Sequence, residues 1–286
     1  MIPKLTATRT RGDWIGQVAK NKHGPREITP PFGLYDEADN LIAFARRGFF
    51  TANEILYLHA KTPGLPYTKA RRTNGMLSRS CVFGFMPRDA LRHDYCRVSA
   101  LARRQPQLGL FLEKMGRKLS EELRTTHPEQ WEKQRKLIGK ISATWRMPGT
   151  IYTSGIINLN NLLVYHRDLG NFPDSWNAMV YLRKAMSGGD LVIPEYGLLV
   201  RMGDGDSIWM DAAKNPHGVT TMIPKREDSY RISLVWYALR SMVHCGTPEE
   251  ELIHIQQSKT GAARQKHSRN AEALREKIMK AAKKKP

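Results

Sequence analysis

His166, Asp168, His217 and Arg231 are the residues whose types and spacing could do redox chemistry. A non-haem iron(II) that binds oxygen and a keto acid together needs two imidazoles and one carboxylate on a single face, with the opposite positions open. The run Val164-Tyr165-His166-Arg167-Asp168 offers His-x-Asp at the end of an apolar stretch. Residues i and i+2 of a strand point the same way, so His166 and Asp168 can grip one ion while Arg167 faces elsewhere. Asn215-Pro216-His217-Gly218 offers the second imidazole. Farther on, Arg231-Ile232-Ser233 opens another apolar strand. A guanidinium there can clamp the distal carboxylate of 2-oxoglutarate through two parallel hydrogen bonds, with the Ser233 hydroxyl sharing it.

A His-x-Asp alone is commonplace, and the order of the segments downstream of it makes it specific. After the triplet come the Gly188-Gly189 turn, Leu191-Val192-Ile193-Pro194, the tight Gly203-Asp204-Gly205-Asp206 turn, the His-Gly and the Arg-x-Ser strand. From Thr150 the apolar pattern has a period of two or runs continuously. It predicts strands at 151–153, 155–159, 162–165, 178–182, 191–193, 198–202, 207–210, 219–222 and 231–237. Many short strands separated by Gly-Asp and Asn-Pro turns indicate a sandwich or jelly roll.

Upstream the pattern is helical. Leu108, Phe111, Leu112, Met115, Leu119 and Leu123 recur at three- and four-residue spacing and predict a core-facing stripe within a helical stretch from Asp94 to about Ile141. Pro128 and Trp131 restart a helix whose outer face carries Lys133, Arg135 and Lys136. Thr51 followed by Glu54 predicts a capped short helix running to Lys61. Helices before strands make the chain α+β. The expected organisation is an extended and helical region over 1–149, a catalytic β core over 150–243 and a basic helical tail over 244–286, together one integrated catalytic domain. Residues 1–50 read as extended and without chemistry, and the Arg71–Arg88 stretch as a hairpin turning at Asn74-Gly75 or a phosphate contact.

The charge balance points to a partner. Lys and Arg number 46 against 27 Asp and Glu, a net +19. Within 259–286 there are ten basic and two acidic residues. Such an excess favours a polyanion, since each neutralised phosphate releases condensed counterions. No run of eighteen apolar residues exists and the N-terminus has no signal-peptide character, so the expectation is a soluble, intracellular, cytoplasmic protein (host-cell cytoplasm if phage-encoded) with no membrane partner. Cys81, Cys96 and Cys245 form no even framework and no Cys-x-x-Cys, which fits a reducing compartment and argues against structural zinc. His244, Cys245 and Gly246, beyond the last strand, read as incidental.

His166-Arg167-Asp168-Leu169-Gly170-Asn171 and Arg231-Ile232-Ser233-Leu234-Val235-Trp236-Tyr237 resemble the TET/JBP family of oxygenases, which hydroxylate the 5-methyl group of pyrimidines in nucleic acid. The likeness spans roughly 150–240 and is to the compact phage-type or fungal-type members. It implies a double-stranded β-helix (jelly-roll or cupin-like) core flanked by helices, with Fe(II) and 2-oxoglutarate as cofactors and O2 as co-substrate. His166, Asp168 and His217 would hold the iron, and Arg231 and Ser233 the 2-oxoglutarate. Asn171 would hydrogen-bond a flipped base, because an amide offers donor and acceptor together. Tyr237 would stack on that base. Two positions depart from the family: Leu239 stands where it has a cytosine-reading histidine, and Leu191 where it has a histidine before the apolar-Pro segment.

The expected activity is oxidation of 5-methylcytosine in DNA to 5-hydroxymethylcytosine. The alternatives are thymine to 5-hydroxymethyluracil, or a related oxygenase acting on RNA or protein. An inactive nucleic-acid-binding jelly roll is disfavoured by the complete ligand set. A zinc deaminase is disfavoured by the missing His-x-Glu and Cys-x-x-Cys.

Overall fold

The structure is a computed structural model and describes residues 2–19, 26–71, 77–89 and 95–259. The basic tail beyond Lys259 and the Asn74-Gly75 turn lie outside those residues. By its contacts the chain divides into two compact units, 1–82 with 155–238, and 83–154 with 239–286.

The first unit is a β sandwich. Its larger sheet runs in the order Lys4–Thr6, Phe32–Tyr35, Leu41–Arg46, Ser207–Met210, Asn177–Lys184, Tyr230–Tyr237, Ser154–Leu159, Leu77–Met86 and Thr68–Arg71. The smaller sheet pairs Gly218–Val219, Leu191–Ile193, Leu198–Val200 and Arg26–Ile28. Between them lies one apolar core. Met179, Tyr181 and Val235 from the larger sheet meet Leu191, Ile193, Leu198 and Val200 from the smaller. Each such side chain contributes roughly 1.5–3 kcal/mol by leaving water. On the other face of the larger sheet Trp209 stacks on Phe44, with ring centroids 4.5 Å apart and planes within 5°. This is the jelly-roll architecture of an α+β protein, as the strand-rich half implies.

Strands Asn177–Lys184 and Tyr230–Tyr237 are central to site building. They pair antiparallel with Arg231 opposite Arg183, Ser233 opposite Tyr181 and Val235 opposite Met179. Directly opposed residues share a face, so these six point into the sandwich together.

The second unit is largely helical. Pro106–Thr126 carries the apolar stripe Leu108, Leu112, Met115, Leu119 and Leu123, all buried, with Phe111 half-buried at its edge. Proline opens this helix and the next, Pro128–Ile138, where its missing N–H costs nothing. Lys133, Arg135 and Lys136 lie on the outer face of the latter, all three exposed. Gly84 sits at φ +75°, and a Cβ there would lie 2.9 Å from the Thr153 carbonyl.

Several expectations are corrected. Residues 162–165 and 151–153 are not strands; His166 makes only a single antiparallel bridge to His217. The apolar run before His166 bonds instead to separate partners: Tyr165 N–H donates to Gln17 O and Val219 N–H to Leu163 O. The N-terminal fifty residues are not merely extended, since Lys4–Thr6, Phe32–Tyr35 and Leu41–Arg46 are strands of the larger sheet. Cys96 and Cys245 form a disulfide across a separation of 149 residues, so the expectation of unpaired thiols fails; Cys81 is free and buried. Nor is Gly246 incidental, because its carbonyl accepts from Trp145 Nε1 and its N–H donates to Glu251. The Thr51 capping box before Ala52–Lys61 forms as expected. No helix among the described residues is long and apolar enough to cross a membrane.

Candidate active site

Two imidazoles and a carboxylate converge without a strand to carry them. His166 and His217 exchange backbone hydrogen bonds in both directions, at 2.9 and 3.0 Å, which sets their rings 4.4 Å apart. Gly218 permits this closeness, as a Cβ there would stand 2.8 Å from the Tyr165 ring. Asp168 N–H donates to Ala212 O and brings the carboxylate alongside, with Oδ1 3.6 Å from His166 Nε2. One ligand atom from each of His166, Asp168 and His217 falls within 4.8 Å of the others.

The tautomers follow from the partners. His166 Nδ1 lies 2.8 Å from Val164 O and His217 Nδ1 lies 3.1 Å from Asn215 O. A carbonyl only accepts, so each Nδ1 carries the proton and each Nε2 presents its lone pair, the form a divalent ion needs. Arg167, between the ligands, turns away to the buried Glu195, which also binds Arg9.

Arg231 is 2% exposed. Its Nη1 donates to Ser233 Oγ at 3.0 Å and its guanidinium lies 4.5 Å from the centre of the Tyr181 ring, yet Nε has no partner. Among the described residues no carboxylate pairs with it. Arg183, directly opposite, is neutralised by Asp190 at 2.6 Å. Burial pushes the Arg231 guanidinium below its ordinary pKa. A buried cation without an anion is expensive, and a dicarboxylate such as 2-oxoglutarate would supply what is missing.

Asn171 is buried, and its Nδ2 donates to Asn177 Oδ1 at 2.9 Å. Asn177 in turn donates from Nδ2 to the outer oxygen of Asp168, at 3.1 Å. Sequence reasoning missed Asn177 by starting its strand one residue late, although Asn177, Met179, Tyr181 and Arg183 share a period of two. Tyr237 is half-buried and packs on the sandwich core. Leu191 is a core residue at 1% exposure.

A family model described as the oxygenase domain of the 2OGFeDO superfamily, Tet_JBP, matches residues 90–240, more than half of the chain. The chain belongs to the TET/JBP oxygenase family. It is accordingly an oxygenase dependent on iron(II) and 2-oxoglutarate, and the buried arginine and Nε2 lone pairs suit both. Among solved structures, NgTET1 in complex with 5mC DNA superposes on this oxygenase with a TM-score of 0.61 at 13% identity, covering 88% of this chain and 90% of that one. The match shows a shared fold. An oxidoreductase of the 2OG-Fe(II) oxygenase family from Burkholderia pseudomallei superposes with a TM-score of 0.43 at 17% identity, over 69% and 85% of the two chains. No curated protein matches the chain.

Proposed function

We propose that this oxygenase takes a 5-methylpyrimidine flipped out of DNA and hydroxylates its methyl group, converting 5-methylcytosine to 5-hydroxymethylcytosine. The observation that carries the reading is the buried Arg231, which no carboxylate among the described residues pairs with, together with the converging His166, Asp168 and His217. Family membership supplies the chemistry, and the likeness to a fold solved with 5mC DNA supports the substrate class.

In this reading His166, Asp168 and His217 hold the iron, while Arg231 and Ser233 hold the distal carboxylate of 2-oxoglutarate. Iron with 2-oxoglutarate and O2 supplies the oxidation: methyl base, O2 and 2-oxoglutarate become hydroxymethyl base, succinate and CO2. The protein binds, orients and excludes water. A methyl group stacked in a duplex is out of reach, so the base must leave the stack, at a few kcal/mol. Asn171 and Tyr237 receive it, and the net charge of +19 with the basic residues beyond Lys259 holds the phosphate backbone without reading sequence.

The test is mass spectrometry of nucleosides after incubation with iron(II) and 2-oxoglutarate on duplexes containing thymine alone or added 5-methylcytosine. The expected product is 5-hydroxymethylcytosine, lost in His217→Ala. Turnover confined to RNA or peptide would reject the reading.

A further inference from the structure

Asp168, Asn177 and Asn171 form a chain of hydrogen bonds with only one self-consistent polarity. An ionised carboxylate can accept and cannot donate. Asn177 therefore turns its Nδ2 to Asp168 Oδ2, at 3.1 Å, and leaves its own Oδ1 facing Asn171. That oxygen needs a donor, so Asn171 turns its Nδ2 inward, at 2.9 Å. The Asn171 carbonyl oxygen is then the acceptor left over, and it has no partner among the described residues. Asn177 is 1% exposed and Asn171 is 5% exposed, so water competes little for these bonds and reversing either amide would set like against like.

We propose that Asn177 is a positioning residue with two linked effects: it holds the outer oxygen of Asp168 so that Oδ1 faces His166, and it fixes Asn171 to offer an acceptor to the flipped base. Facing the 4-position of the base, that acceptor pairs with the exocyclic amino group of cytosine and opposes the O4 oxygen of thymine. The metal-side carboxylate thus sets the base preference through two amides. This inference rests on the proposed function and deepens it by assigning the preference for an aminopyrimidine to a polarity inside the protein.

The experiment compares the parent enzyme, Asn177→Ala and Asn177→Asp in competition on duplexes carrying both 5-methylcytosine and thymine, with Co(II) affinity measured separately by calorimetry. The parent should prefer 5-methylcytosine. In Asn177→Ala the preference should fall about tenfold, and Co(II) affinity about 10–100-fold. In Asn177→Asp one carboxylate oxygen still accepts from Asn171 while the other opposes Asp168, so the preference should be retained while Co(II) affinity falls as in Asn177→Ala, a split that mere loss of packing would not give. An unchanged preference and unchanged Co(II) affinity in Asn177→Ala would overturn the proposal, as would equal loss of preference in both variants. If the parent oxidised neither pyrimidine, the proposed function would fail, and the Co(II) titration would still decide whether Asn177 positions Asp168.

Discussion

The first unit buries an arginine that no acid among the described residues pairs with, and the second buries a glutamate that its surroundings satisfy. Arg231 and Glu251 are each 2% exposed. Glu251 accepts from Arg88 at 2.7 Å and from the backbone N–H of Cys96 and Gly246 at 2.6 and 2.7 Å. Burial alone would raise its pKa, but Arg88 and the two amides outweigh burial and leave it lowered. For Arg231 burial prevails and the pKa falls. Equal depth with opposite bookkeeping separates a charge that the fold satisfies from one that the proposed function assigns to a ligand.

The largest effect that could break this contrast comes from Arg231→Met. It should remove roughly 2–5 kcal/mol of 2-oxoglutarate binding, measured by calorimetry with Co(II) present, while the melting temperature holds or rises. A lower melting temperature with unchanged affinity would make Arg231 structural. Glu251→Gln should act the other way, costing about 3 kcal/mol in denaturant unfolding and leaving turnover per folded molecule unchanged. Because the folded pKa of Glu251 lies below its ordinary 4.5, its stabilisation is present above that value and is lost as pH falls through the folded one. Unfolding followed against pH should show this acid limb in the parent and a flatter one in Glu251→Gln. The smallest effect tests whether partnering or location matters. Glu54, in the first unit, is also a buried carboxylate, and Thr51 donates to it through both N–H and Oγ1–H. Thr51→Ala should cost about 1 kcal/mol of stability and leave 2-oxoglutarate affinity unmoved.

Much of the site was legible because it depends on local patterns. His166 and Asp168 are two apart, and Arg231 and Ser233 repeat that spacing on a strand that the alternation Ile232, Leu234, Trp236 already marks. The helix Pro106–Thr126 was equally plain from its stripe. What escaped detection depends on contacts distant in sequence. Nothing near Cys96 announces Cys245, and nothing near Leu41–Arg46 says it pairs with Ser207–Met210. The stretch before His166 has strand composition, yet it bonds to Gln17 and Val219, which no periodicity reveals. Asn177 stayed hidden because a polar residue at the head of an apolar strand reads as a boundary, and only the position of Asp168 gives it a task.

The bond between Cys96 and Cys245 encloses every side chain proposed to touch metal, co-substrate or base, from His166 to Tyr237. A protease cut at any peptide link in that interval would leave both fragments covalently attached. Such nicked protein would migrate as one species on a denaturing gel until a reductant was added, and then as two.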